Sequence, residues 1–282
     1  AFQVFVPTEW NGLKIPPVSL RTKPGLPDSL PMQPRRIRPQ LLEHAQKEFD
    51  RMRKYFYVES QSPRACPLVI APKATAPFIR ICGDYTPLNP YIEIPQHPIP
   101  RVQDEIQKAA QWRVFLDLDM TNSFHQIPLD LPTSELLTVT TQWGLFRPRF
   151  MPEGVGPASG ILQHIVRTIF ADFDWIIVIF DNFLVCATDF SDAAHKLERV
   201  LTRCAEYRLV LKMKKSWIGF NTFSFFGYEI TGGQYSLSQG RKDSIAAWQF
   251  PTGKKQMQSF LGAALFFKTH MPNYSDWSAR LY

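Results

Sequence analysis

Two apolar stretches of the chain carry acidic residues of the kind that a metal-dependent site requires. The first, Val114–Asp119, ends in Asp119, and the second, Trp175–Cys186, contains Asp181 and Asn182 between two apolar runs. Two-metal phosphoryl transfer needs oxygen ligands that hold a pair of cations about 4 Å apart. Neighbouring strands of a rigid sheet would supply that geometry. Taken alone, however, Asp181-Asn182 is better explained as a two-residue hairpin turn, because both residue types favour tight turns.

The composition is that of a globular chain with a basic surface. Its 282 residues are enough for one large module or a few small ones, and the formal net charge of +7 favours a polyanionic partner. The four cysteines are scattered without a C-x-x-C pair, which argues against a zinc site and for a reducing compartment. No apolar run could cross a bilayer and no signal peptide is visible, so we expect an intracellular protein without a membrane partner. The absence of Met at position 1 indicates a piece of something longer.

The elements that must position the acidic residues alternate between strand and helix. In order, the patterns predict a strand at Val114–Leu118, a helix at Pro157–Phe170, the Trp175–Cys186 hairpin, a helix capped by Ser191 and a hairpin at Phe223–Ile230. This order is the split-βαβ pattern of an antiparallel sheet that helices cover on one face. The open face would carry the acids, with Asp117 and Asp119 on the same side because strand side chains alternate.

Outside this region the patterns are simpler. A helix is expected from Pro39, and a pair of strands at Pro67–Ala71 and Phe78–Cys82. Near the C-terminus, two short helices are expected at Ile245–Trp248 and Met257–Phe267.

Five ordered motifs connect these elements to a known family. Leu118–Ile127 is similar to L-D-L-x-S-G-Y-H-Q-I, Met151–Gln163 to M-P-F-G-L-x-N-A-P-A-T-F-Q, Ile179–Asn182 to Y-x-D-D, Phe225–Tyr228 to the primer-grip F-L-G-H, and Gln258–Gly262 with Pro272–Ser275 to Q-S-F-L-G and P-N-F-S. In this order and spacing, from about residue 20 to residue 282, the chain resembles the reverse transcriptases of gypsy-type LTR retrotransposons. Five motifs in family order are far more specific than any one of them.

The resemblance implies an α+β right-hand polymerase with fingers, palm and thumb, whose antiparallel split-βαβ palm sheet is backed by helices. Residues 1–37 would be an extended Pro-rich lead-in, residues 38–94 and 127–163 the fingers, residues 95–126 and 164–232 the palm, and residues 233–282 the thumb. The expected activity is RNA-directed DNA polymerase, with dNTPs and a primed RNA or DNA template as partners. Flanking RNase H or integrase segments of a polyprotein, or a larger ribonucleoprotein assembly, are further expected partners.

The resemblance also assigns roles to single residues. The catalytic set would be Asp119, Asp181 and Asn182. Asp119, Asp181 and the backbone carbonyl of Leu118 would hold two Mg²⁺ ions, for which Mn²⁺ is a substitute. The expected nucleotide-binding residues are Lys73 and Arg80 at the triphosphate, Phe124 against a ribose 2′-hydroxyl, Gly154 and Gln163 at the nucleotide and template, and Lys215 at the leaving group. The expected primer grip is Phe226, Gly227 and Tyr228.

The chain departs from the family pattern at four places. Asn182 stands where the family has a second aspartate, Asp117 where it has a lysine, and Glu153 where it has an apolar or amide residue. The fingers loop K-K-D-G is replaced by residues 73–78, which retain one lysine.

These departures favour an alternative function, that of a catalytically impaired nucleic-acid-binding or scaffold subunit of a larger assembly. A scaffold has no physical need for Asp119, Asp181, Phe124 or Gln163, and their presence favours the enzyme.

Overall fold

The computed structural model describes residues 10–31, 33–74, 77–95, 101–179, 182–225, 227–268 and 271–281. Asp181 and Phe226, two of the residues singled out by their sequence motifs, lie outside these ranges. The chain divides into two compact units, residues 1–235 and residues 236–282.

The helices and strands of the described ranges include the predicted ones in their predicted order. They are β1 (Leu30–Pro31), α1 (Pro39–Arg53), β2 (Tyr57–Glu59), β3 (Arg64–Pro72), β4 (Ile79–Gly83), α2 (Val102–Ala109), β5 (Val114–Asp119), α3 (Leu131–Leu136), β6 (Val139–Thr141), β7 (Gly144–Pro148), α4 (Ala158–Ile169), β8 (Ile176–Ile179), β9 (Asn182–Ala187), α5 (Phe190–Tyr207), β10 (Trp217–Phe220), β11 (Thr222–Phe225), β12 (Tyr228–Thr231), β13 (Gln234–Leu237), α6 (Gln239–Ala246), α7 (Lys254–Phe266) and α8 (Tyr274–Ser278).

A mixed sheet in the N-terminal part of the first unit has the strand order β1-β3-β6-β7-β2, and β4 pairs antiparallel with β3. The β3–β4 hairpin is the predicted strand pair, although β3 begins earlier than expected and Phe78, with φ 65°, lies outside β4. Helix α1 confirms the helix predicted from Pro39 and buries Phe49, whose ring stacks on Trp143 at 4.7 Å. These aromatic contacts fix α1 to the sheet.

The acidic residues lie on a second sheet, whose described strands have the order β10-β5-β9-β8. Strand β9 is antiparallel to both β5 and β8, so β5 and β8 run parallel on either side of it. Helix α4 lies on the connection from β5 to β8, and α4 and α5 pack against the sheet. This is the split-βαβ topology that the sequence pattern predicted.

The start of α5 differs from the prediction. Ser191 lies inside the helix, and the N-cap is Asp189, whose side chain accepts a hydrogen bond from the backbone N of Asp192 at 2.9 Å. Asp and Ser are both good N-caps, so the pattern alone could not choose between them. Further along α5, the buried Lys196 donates to the carbonyl of Cys186 at 3.0 Å and to Asp192 at 2.9 Å. The bond to Cys186 holds α5 against β9, whereas the bond to Asp192 lies within α5.

The second unit consists of short helices around a small apolar core. Leu261, Ala264, Phe267 and Tyr274 are buried, and the Tyr274 hydroxyl donates to the carbonyl of Leu261 at 3.4 Å. Helix α7 corresponds to the predicted helix at 257–267, whereas α6 begins earlier than predicted and ends at Ala246. In the described ranges of the chain, none of the helices combines the length and the apolar character that crossing a bilayer requires.

Candidate active site

The acidic face of the second sheet is centred on β5. Its Asp117 and Asp119 side chains are partly exposed while the leucines that alternate with them are buried, as strand alternation predicted. Asp119 stands directly opposite Asn182, the first residue of β9, and Asn182 also pairs with Ile179 of β8. Asn182 is therefore a strand residue, and the alternative that placed it in a two-residue turn is wrong.

Asp117 lacks the hydrogen bond that a buried carboxylate oxygen normally has. Its Oδ1 atom is buried without a partner among the described residues, and the strand positions beside it are Leu184 and Trp217. Burial, and then the Asp119 carboxylate, raise the pKa of Asp117 to about 6. A hard divalent cation near the carboxylates of Asp117 and Asp119 would offset both the burial of Asp117 and the repulsion between the two carboxylates. These oxygen donors therefore fit such an ion. Within the described ranges, which exclude Asp181, no three acidic, His or Cys side chains cluster as a complete metal site.

Lys215 lies at the carboxylate of Asp119. Its Nζ atom is 3.5 Å from Oδ2 of Asp119, while 63% of the lysine side chain remains exposed. The segment before Lys215 is attached to the end of β5 by backbone bonds: Lys212 N donates to Asp119 O at 2.7 Å, and Thr121 N to Val210 O at 3.0 Å. Because the ion pair is exposed to solvent it is weak, so a ligand could take the lysine from Asp119.

Arg80 of β4 is paired with a residue that departs from the family pattern. Its Nη1 atom is 3.7 Å from Oε2 of Glu153, and the same oxygen lies 3.7 Å from Sγ of Cys82. Burial, and then the Glu153 carboxylate, raise the pKa of the Cys82 thiol to about 11. Lys73, at the same turn end of the hairpin, is exposed, and its backbone N donates to the carbonyl of Phe78 at 2.7 Å. Arg80 is thus already held by a carboxylate.

The loop that carries Glu153 and Gly154 is fixed by Asn89. The Asn89 side chain donates to the carbonyl of Gly154 at 3.0 Å and accepts from the backbone N of Gly156 at 2.8 Å. Gly154 has φ +90°, and a Cβ there would lie 3.4 Å from the carbonyl oxygen of Gly83. No sequence motif singles out Asn89, because the pairing of one side-chain amide with a distant loop leaves no local pattern.

The two predicted pocket residues Phe124 and Gln163 differ in their surroundings. Phe124 lies in a short 3₁₀ turn, Ser123–Gln126, after Asn122 with φ 42°, and its partly buried ring packs against the core. Gln163 is buried in α4 and donates from Nε2 to the carbonyl of Val178 at 2.7 Å. Gln163 therefore ties α4 to the β8–β9 hairpin.

The predicted primer grip lies at the β11–β12 hairpin. Gly227 has φ +82°, which suits a tight turn before β12. Tyr228 is buried, with its ring 6.2 Å from that of Tyr235. Leu118, whose carbonyl was expected at the metals, pairs with Phe183 in the second sheet.

His125, in the same turn as Phe124, gives a prediction that does not depend on catalysis. Its Nδ1 is buried without a partner in the described part of the chain, and its ring stacks on Phe56 at 4.1 Å. Burial, and then the charge of Arg51, lower its pKa to about 4. The folded protein therefore resists protonation that the unfolded chain accepts near pH 6.5. The stability that depends on neutral His125 is complete above pH 6.5 and is lost as the pH falls towards 4.

We expect the free energy of unfolding to fall by at most about 3 kcal/mol between pH 6.5 and pH 4 on account of this residue. His125→Phe should remove that part of the pH dependence. Urea unfolding of both proteins at several pH values measures it. Identical pH profiles for the wild type and the variant would contradict the assignment.

A split-βαβ sheet with carboxylates on its open face is the palm architecture of a right-hand polymerase. The family described as reverse transcriptase (RNA-dependent DNA polymerase) matches residues 72–230, more than half of the chain. The chain belongs to this family.

Similar proteins agree with this assignment. The Transposon Tf2-7 and Tf2-3 polyproteins of Schizosaccharomyces pombe are each 24% identical over 220 residues, which covers 77% of this chain and 16% of each polyprotein. The chain thus spans about one sixth of the length of these curated relatives. The foamy viral protease-reverse transcriptase dRH in complex with double-stranded DNA has a TM-score of 0.82 at 20% identity, covering 98% of this chain and 48% of that one.

A second foamy viral protease-reverse transcriptase structure, in complex with an RNA/DNA hybrid, has a TM-score of 0.75 at 20% identity. It covers 93% of this chain and 35% of that one. Both structures confirm the predicted α+β polymerase fold.

Proposed function

We propose that this chain is the polymerase segment of a gypsy-type retrotransposon reverse transcriptase, which extends the 3′-hydroxyl of a primer with dNTPs on an RNA or DNA template. The observation that carries the proposal is the position of Asp119, in a chain that belongs to the reverse transcriptase family. Asp119 stands opposite Asn182, the residue that follows Asp181 in the sequence, and Lys215 lies at the Asp119 carboxylate. The relatives' membership of retrotransposon polyproteins supports the gypsy-type assignment and flanking RNase H or integrase segments.

Reverse transcriptases generally use divalent metal ions, and Mg²⁺ is the proposed cofactor, with Mn²⁺ as a substitute. Asp119 and Asp181 would hold two ions, with the amide oxygen of Asn182 and the carbonyl of Leu118 as neutral donors. When bound, the ions supply positive charge at the attacking and leaving oxygens. Asp117 faces the same side as Asp119 and adds negative charge that attracts cations to this face.

Other residues of the chain would bind the nucleotide and the primer. Arg80 and Lys73 would hold the triphosphate, Arg80 through its planar fork, after Glu153 releases it. Lys215 would neutralise charge on the pyrophosphate. The remaining proposed contacts are Phe124 at the sugar, Gly154 and Gln163 at the nucleotide and template, and Phe226, Gly227 and Tyr228 at the primer.

We also propose the division of the chain into a Pro-rich lead-in (1–37), fingers (38–94 and 127–163), palm (95–126 and 164–232) and thumb (233–282). The separate compact unit at residues 236–282 supports the thumb. An intracellular location agrees with the retrotransposon relatives.

Primer extension on RNA and DNA templates, in Mg²⁺ and then in Mn²⁺, tests the proposal. Extension by the wild type supports it. The second candidate, a scaffold subunit, is favoured by Asn182 and by the Arg80–Glu153 pair. Duplex binding that weakens steeply with salt, without extension in either metal, would support the scaffold.

Phe124 should decide sugar selectivity if the chain polymerises. Its partly exposed ring would collide with a 2′-hydroxyl, so Phe124→Val should raise rNTP incorporation relative to dNTP about tenfold or more. Leu129→Ala, which removes three heavy atoms from a partly buried side chain packed against the same core cluster, is the control. Relative incorporation of dNTPs and rNTPs in single-nucleotide extension measures the effect. Unchanged discrimination in Phe124→Val would show that the ring only packs against the core.

A further inference from the structure

We propose that Gln126 is a positioning residue that keeps Lys215 at the carboxylate of Asp119. The catalytic consequence rests on the proposed polymerase function, whereas the structural coupling does not. Gln126 is fully buried in the turn that follows β5, and Lys215 lies far along the chain at the surface. The connection between them runs through the segment that begins at Val210.

The side-chain amide of Gln126 uses both of its hydrogens and its oxygen. Nε2 donates to the carbonyl of Thr121 at 2.6 Å and to the carbonyl of Val210 at 2.9 Å, while Oε1 accepts from the backbone N of Val210 at 2.9 Å. The amide thus pairs with both polar groups of Val210, as the peptide unit of a neighbouring strand would. The two bonds to Val210 are buried and the bond to Thr121 is partly buried, and losing the donor leaves carbonyl oxygens without that partner.

Fixing Val210 sets the register of the residues that follow. Thr121 N donates to Val210 O at 3.0 Å, Met120 and Leu211 form an isolated antiparallel bridge, and Lys212 N donates to Asp119 O at 2.7 Å. The segment from Val210 therefore lies beside the end of β5 in one register.

The short 3₁₀ turn Met213–Lys215 continues this register to the lysine. Lys215 N donates to the carbonyl of Lys212 at 3.0 Å, and Lys215 Nζ then reaches Oδ2 of Asp119 at 3.5 Å. A shift of the segment at Val210 would also move the ammonium group of Lys215, because only a few residues separate Val210 from Lys215.

Gln126 is the side chain that can prevent such a shift. The lysine end of the ion pair is exposed, so the pair is too weak to order a segment by itself, whereas both bonds from the Gln126 amide to Val210 are buried. Gln126 does not touch the reacting groups, so it acts through Lys215.

The first experiment measures the coupling without catalysis. Reductive methylation of the metal-free protein, followed by mass spectrometry, gives the reaction rate of Lys215 relative to Lys214, an exposed neighbour that serves as internal standard. Gln126→Glu, which replaces the donor by an acceptor, and Gln126→Asn, which is one methylene shorter, should each raise this ratio about threefold, the effect of losing one exposed ion pair. Asp119→Asn should raise it by the same factor.

Thr138→Val is the matched control for a lost buried hydrogen bond. Thr138 is buried and donates to the carbonyl of Glu135 at 2.8 Å, in a part of the chain that contains neither Asp119 nor Lys215. This variant should leave the methylation ratio unchanged. An unchanged ratio in a folded Gln126 variant, or an equal rise in Thr138→Val, would overturn the proposal. Circular dichroism checks folding, and Gln126→Asn, which keeps a neutral amide, is the variant that decides if Gln126→Glu does not fold.

The second experiment is a double-mutant cycle on primer extension. Gln126→Asn and Lys215→Met should each slow extension about tenfold, and the double variant should be no slower than either. The KM for dNTP should change by less than about twofold, because Gln126 does not contact the nucleotide. Effects that multiply to about a hundredfold would contradict the coupling. Absence of extension by the wild type would count against the proposed function and would leave the methylation result to decide the role of Gln126.

Discussion

Asn182→Asp is expected to raise the rate of Mg²⁺-dependent primer extension about tenfold, which corresponds to about 1.4 kcal/mol of added charge interaction at the site. Asn182 stands opposite Asp119, so the new carboxylate would lie beside the existing one. Mg²⁺ gives up its water reluctantly and prefers charged oxygens, whereas an amide offers only a neutral oxygen. Single-turnover extension with Mg²⁺ titrated in both proteins measures the change. If Asn182→Asp yields no extension, the scaffold interpretation becomes the better one.

The same Mg²⁺ titration tests whether the negative charge of Asp117 compensates for the carboxylate that Asn182 lacks. Asp117 lies about 6.5 Å along the strand from Asp119, too far to be the missing ligand and close enough to attract a cation. Its unpartnered Oδ1 is consistent with such a role. Asp117→Asn should slow extension more in the native Asn182 background than in Asn182→Asp. Equal effects in the two backgrounds would reject compensation.

Asp119→Asn should have the largest effect of any single change, a loss of extension of about a thousandfold. Asp119 is a carboxylate on the rigid strand β5, where positioning and charge provide most of the catalysis of phosphoryl transfer. Binding of a primer–template duplex should be retained, because the change leaves the basic surface intact. Extension rates and duplex affinity are measured on the same preparation.

Asp172→Asn is the matched control, because it also removes one carboxylate. Asp172 is paired with Arg203, which lies near the C-terminal end of α5. It should leave extension within about twofold of the wild type, as expected of a surface ion pair. Full extension activity of the Asp119→Asn variant would contradict the proposed active site.

The sequence predicted the features that depend on local period and motif order. Strand alternation placed Asp117 and Asp119 on one side, and the order of segments predicted the split-βαβ sheet. These signals can be detected in a single sequence because they repeat over several residues. The N-cap of α5 was misplaced by two residues, from Asp189 to Ser191, because both types cap well.

The features that the sequence did not predict are contacts between distant segments. The Arg80–Glu153 pair, the Asn89 bonds to the Gly154 loop and the Gln126 bonds to Val210 each depend on how two separate stretches meet. A single sequence contains no period or spacing that identifies such partners. The Asp119–Asn182 register belongs to the same class, and the family resemblance alone brought the two residues together.

The assembly of the proposed site from β5, β9 and the Lys215 turn has a consequence for the order in which the site forms during synthesis. These three stretches are widely separated in sequence, so their contacts require closing long loops, which is entropically costly and slow. Asp119 emerges from the ribosome long before Asn182 and Lys215 do, and β10 completes the sheet last. A nascent chain that ends before β10 would therefore expose the hydrogen-bonding edge of β5, and the proposed site would rest on the complete four-stranded sheet only once β10 has been made.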